Sequence, residues 1–174
     1  AEYISDCSEN NISVLPPNVN RSKQGFTAFN GNILFGLSAI KGIGDGMAHA
    51  IVKVRENSIF SDIFDFVKRT VPIGLGKMQL TSLIYSGALD CFGIYRSRLL
   101  EMSETLLNRA NAINRESLSG QTSLFGEEHK QIVSPLKFSD IPEMSMKERL
   151  RYEKEYTGMY LSGSLLSPYQ KTIL

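Results

Sequence analysis

Apolar residues along this 174-residue chain recur mainly at intervals of three and four, the period of a one-faced helix, with one short exception near the start. The exception is GFTAFNGNILFGLSAI. There Asn30-Gly31 separates two β-prone runs, and since both central positions of a tight hairpin need φ > 0, a two-stranded ribbon is predicted over about 26–36. Ahead of it, Pro16 and Pro17 in NNISVLPPNVNRS enforce an extended connector. From Ser38 the pattern turns helical. A short helix ends at Ala39 and Ile40, KGIGDG interrupts it, and MAHAIVKVR resumes with Met47, Ala48, Ile51 and Val52 on one buried face. Ser61 reads as the cap of DIFDFVKR, whose Ile63, Phe64 and Val67 repeat the helical spacing, and a loop with Pro72, Gly74 and Gly76 follows. Lys77 to Ser86 is a further helix stopped by Gly87. A longer one is expected from about Tyr95 to Arg115 with Leu99, Met102, Leu106 and Ile113 as its inward stripe. Ser145 and Glu148 form a capping box that opens a charge-rich helix through Tyr156, closed by Gly158. The expected fold is mainly α with one small β-hairpin, and helix, glycine turn, helix occurs twice, at 38–55 and less cleanly at 62–86.

Composition narrows the class without naming a chemistry. Hydrophobic residues make up 42% and charged residues 21%, ordinary for a globular protein, and no run of about 18 apolar residues exists to span a membrane. The chain reads as intracellular, since no basic and apolar leader opens it and Cys7 and Cys91 form no CxxC pattern; two small buried apolar residues are the simplest account of those cysteines. His49 and His129 have no partners at metal-ligand spacing. Net charge is only +1, yet residues 41–115 hold ten Lys or Arg against seven Asp or Glu, a local bias that permits nucleic-acid contact without requiring it. The chain lacks an initiator methionine, starts in what reads as the last turns of a helix (Tyr3, Ile4, Cys7) and stops at SPYQKTIL, as expected of a piece of something longer.

The glycine turn AIKGIGDGMAHAIVKVR carries the first candidate chemistry. Gly42, Gly44 and Gly46 alternate, so the backbone can adopt positive φ and come close to another molecule. The next helix starts there, and its free N–H groups and positive dipole end suit a phosphate oxygen. Ile43 would point inward and join the two helices, while Lys41, Lys53 and Arg55 would add charge. The alternative is a plain αα-hairpin whose glycines only permit a tight reversal. A dinucleotide fingerprint is excluded because no strand precedes the turn, and GLGKM at Gly74 to Met78 fails as a P-loop, with Val71 and Met78 at required positions. A second oddity is SLSGQTSLFGEEH, a polar linker holding the large apolar pair Leu124 and Phe125. Entry into an apolar pocket on a partner would gain about 3 to 6 kcal/mol before the ordering cost is subtracted. Folding back as a staple on its own helices is the other reading.

IKGIGDGMAHAIVKVR resembles a helix-hairpin-helix module, a sequence-independent binder of duplex DNA. Together with YISDCSENNISVLPPNVNRS, ILFGLSAIKGIG, SDIFDFVKR, LIYSGALDCFG and YLSGSLLSPY, in collinear order, it is similar to the bacterial DNA polymerase III alpha subunits, the C-family replicative polymerases. The resemblance implies tandem helix-hairpin-helix units. It further implies the end of a fingers domain and connector (1–30), a DNA-binding region (31–115), a clamp-binding loop (116–144) and a helical segment leading to a further domain (145–174). In the family a peptide of the type Gln-x-Ser/Asp-Leu-Phe plugs into the sliding clamp, and Gln121, Thr122, Ser123, Leu124 and Phe125 match it. Duplex contact is expected at Lys41, Gly42, Ile43, Gly44 and Gly46, and at Lys77 in the looser second hairpin VPIGLGKMQL. Ser164 stands where the family usually shows His. The implied partners are primer-template DNA, the clamp and the rest of a cytoplasmic polymerase chain. Its Mg-dependent carboxylates belong to a domain upstream, so no catalytic residue and no cofactor is expected in this chain. The competing class is a helix-hairpin-helix repair glycosylase or lyase, which needs a catalytic Asp and usually a Lys near a base pocket; Asp45 and Lys53 are the nearest match, and the chain has no tryptophan. The charged helix SMKERLRYEKEY reads as a solvated face with i, i+4 pairs.

Overall fold

A computed structural model describes residues 12–119 and 135–163. The expected ribbon is present: β2 (Thr27–Phe29) and β3 (Asn32–Leu34) pair antiparallel around Asn30 (φ 49°) and Gly31 (φ 77°), the two positive φ values that such a turn demands. A third strand was not foreseen. β1 (Val14–Leu15) adds to β3 in parallel, Val14 beside Ile33 and Leu15 beside Leu34, giving the order β1-β3-β2. Pro16 and Pro17 follow it directly, where the ladder ends and no N–H is needed.

Five α-helices complete the described residues: α1 (Asp45–Arg55), α2 (Ile63–Thr70), α3 (Lys77–Tyr85), α4 (Arg96–Ser119) and α5 (Met146–Thr157). The helix expected ahead of the first glycine turn is only a single 3₁₀ turn, Leu37–Ala39. The cap of α2 is Asp62 rather than Ser61. Asp62 Oδ1 accepts from the Asp65 N–H at 2.8 Å, and Asp65 Oδ2 accepts in return from the Ser61 N–H at 3.1 Å. Gly87 ends α3 at φ 84°, and Gly158 ends α5 at φ 80° with its N–H donating to the Lys154 carbonyl.

One apolar core runs through the helices, drawing Val19 and Phe35 from the N-terminal part together with Ile43, Ile51, Phe66, Leu80 and Leu99. α4 packs against both α2 and α3. Its buried face is therefore wider than one stripe. Leu99 and Leu106 are buried as expected, Leu107 and Ala110 join them, and Met102 and Ile113 are only partly buried. On α2 the fully buried ring is Phe66; Phe64 stays near the surface under the Arg109 guanidinium. Cys91 is exposed, contrary to the buried reading.

The charge-rich helix α5 is also not a purely solvated face, because Leu150 and Glu153 are buried. Glu153 Oε1 accepts from Arg96 Nη2 at 2.9 Å, and its other oxygen accepts from the Leu161 and Ser162 N–H groups. Arg96, also buried, donates to both oxygens of Asp90 at 2.9 and 2.6 Å. Burial works against its charge, but Asp90 and Glu153 outweigh that and hold the guanidinium above its ordinary pKa. Removing one member of such a buried pair typically costs about 3–5 kcal/mol.

The strap 135–144 ties back to the start of α4. Leu136 and Phe138 pack on the core, Arg98 Nε donates to the Ile141 carbonyl at 2.9 Å, and Ser97 Oγ donates to the Pro142 carbonyl at 2.7 Å. Glu143 accepts from the Arg96 and Ser97 N–H groups at 2.9 and 3.2 Å, so it caps α4 from a distant part of the chain.

Candidate nucleic-acid interface

The first hairpin is built from Ile40, Lys41, Gly42, Ile43 and Gly44. Gly42 sits at φ 87°, and a Cβ there would lie 2.6 Å from Ser82 Oγ on α3, so both its conformation and its lack of a side chain are required. Ile43 is buried in the core and fastens the turn, as its position between two glycines suggested. Gly44 is extended (φ −75°, ψ 167°) and precedes α1 with no side-chain cap. Around Gly44 and Gly46 the space a Cβ would enter is empty to 4 Å. An uncapped helix start with open space before it therefore lies at the turn, with Asp45 as its first residue.

The second hairpin repeats this backbone more closely than VPIGLGKMQL suggested. Gly74 takes φ 97°, Leu75 is buried like Ile43, and Gly76 is extended (φ −112°, ψ −175°) ahead of α3. The two differ in their charges and caps. Lys77 is the first residue of α3 where Asp45 opens α1, and the Gly76 N–H is already occupied by Gln79 Oε1 at 3.2 Å. Lys77 Nζ pairs with Glu104 at 3.5 Å, both side chains well exposed.

Lys41, Gly42, Ile43, Gly44 and Gly46 are thus brought together at one turn, and Lys77 lies at the other. Lys53 and Arg55 are not part of the site. They occupy the last turn of α1, about 12 Å or more along the axis from its start. Arg55 instead donates to the Val19 and Ser22 carbonyls at 2.6 and 2.7 Å, where burial lowers its pKa. The same separation keeps Asp45 and Lys53 from sharing a pocket, as a glycosylase or lyase would need. Sequence reading missed α5 as a neighbour. Its C-terminal end borders the first hairpin, with the Lys41 N–H donating to the Tyr156 carbonyl at 2.8 Å and Lys41 Nζ lying 3.3 Å from Glu155 Oε1. Tyr156 stacks on Tyr85, and Tyr85 on Tyr152; burial, then Tyr152, push the Tyr85 hydroxyl up to about 12. Gln121, Thr122, Ser123, Leu124 and Phe125 lie outside the described residues, as does His129. Among the described residues no three His, Cys, Asp or Glu come together to hold a metal ion, and no helix is long and apolar enough to cross a membrane.

The family model described as the helix-hairpin-helix motif matches residues 11–99, half of the chain. The chain belongs to the helix-hairpin-helix family. Both helix-hairpin-helix turns fall within the matched residues. Curated relatives carry the name DNA polymerase III subunit alpha. The protein of Deinococcus radiodurans is 39% identical over 98% of this chain, that of Thermus aquaticus 44% over 94%, and that of Bacillus subtilis 33% over 99%. The chain spans only 13–15% of the length of these three relatives.

Proposed function

We propose that this chain is the non-catalytic, DNA- and clamp-binding part of a bacterial replicative DNA polymerase. In this reading the backbone N–H groups around Gly42, Gly44 and Gly46, with Lys41 as charge partner, hold a phosphate of the primer-template duplex; Lys77 adds a contact at the second hairpin. Gln121, Thr122, Ser123, Leu124 and Phe125 bind the sliding clamp. The polymerase activity, its Mg ions and its cytoplasmic setting belong to the longer chain, as the relatives' name suggests.

The observation that carries the DNA-binding reading is the open, uncapped start of α1 at Gly44 and Gly46. These glycines have no packing neighbour to explain them, whereas Gly42 has one. Backbone contact to phosphate carries no sequence information and releases counterions, so affinity falls steeply with salt. The test is titration of the chain with two unrelated duplexes across salt, beside Gly46→Leu. Equal affinity for both duplexes and a steep salt slope are expected. The substitution should lower affinity about tenfold through lost phosphate approach, while helix propensity leaves α1 as stable or more so. Sequence-selective or salt-insensitive binding, or full affinity in Gly46→Leu, would overturn the reading.

A further inference from the structure

The charge nearest the first hairpin is not free. Lys41 Nζ lies 3.3 Å from Glu155 Oε1 and 5.6 Å from the centre of the Tyr156 ring, while its N–H is bound to the Tyr156 carbonyl. The residue is thus held at three points by the end of α5. Both charged side chains remain substantially exposed (64% for Lys41, 47% for Glu155), so the pair can open without unfolding anything. It borders an open hollow of about 690 Å³ between Ser38 to Gly44 on one side and Glu155 to Gly158 on the other. Lys41 lies on one wall of the hollow and Glu155 on the other.

From this arrangement we infer that Glu155 is an affinity-setting residue: its carboxylate occupies Lys41 as an internal stand-in for a DNA phosphate and must be displaced when duplex binds. The inference rests on the DNA-binding reading above. Displacement frees a carboxylate that then gathers its own cation, so part of the counterion release gained at the phosphate is cancelled. The wild-type hairpin therefore grips weakly, as suits a contact that must slide with the duplex. An exposed pair of this kind contributes little to folding, which leaves its effect on DNA as the measurable one.

The test uses the whole 174-residue chain and a duplex of mixed sequence, comparing wild type, Glu155→Gln, Lys41→Gln and the double variant across salt. Glu155→Gln is expected to tighten binding about three- to tenfold and to steepen the log–log salt slope by up to about 0.9, one phosphate's worth. In the Lys41→Gln background the same change should shift affinity less than about twofold. Unchanged affinity in Glu155→Gln, with wild type binding duplex normally, overturns the inference and leaves the DNA-binding reading standing. A gain that persists without Lys41 overturns it too, showing a general field in place of a paired rival. Absence of salt-dependent binding in all four proteins removes the DNA-binding reading itself.

Discussion

Gly42 is limited by two constraints, a left-handed backbone and the Ser82 hydroxyl against its open face. Gly42→Ala should therefore destabilise the fold by about 1–3 kcal/mol, whereas Gly46→Ala, in a helical turn facing open space, should be neutral or stabilise by up to about 1 kcal/mol. Denaturant unfolding of both variants checks this, and equal effects would contradict it. The alternation of the three glycines was legible as a turn. Which one packs and which two stay open was not, because the deciding atom belongs to Ser82 on a helix far along the chain. Glu153 shows the same limit: nothing in SMKERLRYEKEY separates it from its exposed neighbours, since its partner Arg96 and the N–H donors of Leu161 and Ser162 are supplied by folding.

Helices were mostly legible, because apolar period, caps and glycine stops act locally; the Ser145–Glu148 box and the Gly158 stop stand where the sequence placed them. The start of α4, expected at about Tyr95, stands at Arg96, but its cap was not legible, because it arrives from the strap. Glu143 meets the N–H groups of Arg96, Ser97 and Met144. Partial burial alone would raise its pKa, but these three donors outweigh it and hold the carboxyl below its ordinary 4.5. A depressed folded value means stability present above the unfolded value and lost as pH falls through the folded one. Glu143→Gln should thus lower stability near neutrality by roughly 1 kcal/mol, in the range of lost helix caps, and the gap to wild type should close as pH falls well below the ordinary 4.5 and through the lower folded value. Unfolding curves measured across this pH range decide it; a gap independent of pH would contradict the capping role. The second hairpin lies between these cases. Its backbone resembles the first, with Leu75 buried as Ile43 is, but Pro72 in VPIGLGKMQL blurs the pattern.

At the scale of the whole molecule, one core joins the small sheet, both hairpins and α4, and α5 borders the first hairpin. The strap after residue 134 is fastened to the start of α4, while α4 itself ends at Ser119. The segment that carries the QTSLF peptide therefore lies between the end of α4 and a strap fastened to the start of that same helix. Under the proposed function, a duplex held at the hairpins and a clamp held by that peptide raise each other's effective concentration, which is what processive synthesis requires. The proposal of a clamp contact rests on resemblance alone, since two apolar residues in a polar stretch fit a staple equally well. Capture of a purified bacterial sliding clamp by the chain and by its Leu124→Ala, Phe125→Ala double variant separates these directly. Loss of capture with helical content unchanged is expected; undiminished capture by the double variant would contradict the assignment of that peptide as the tether.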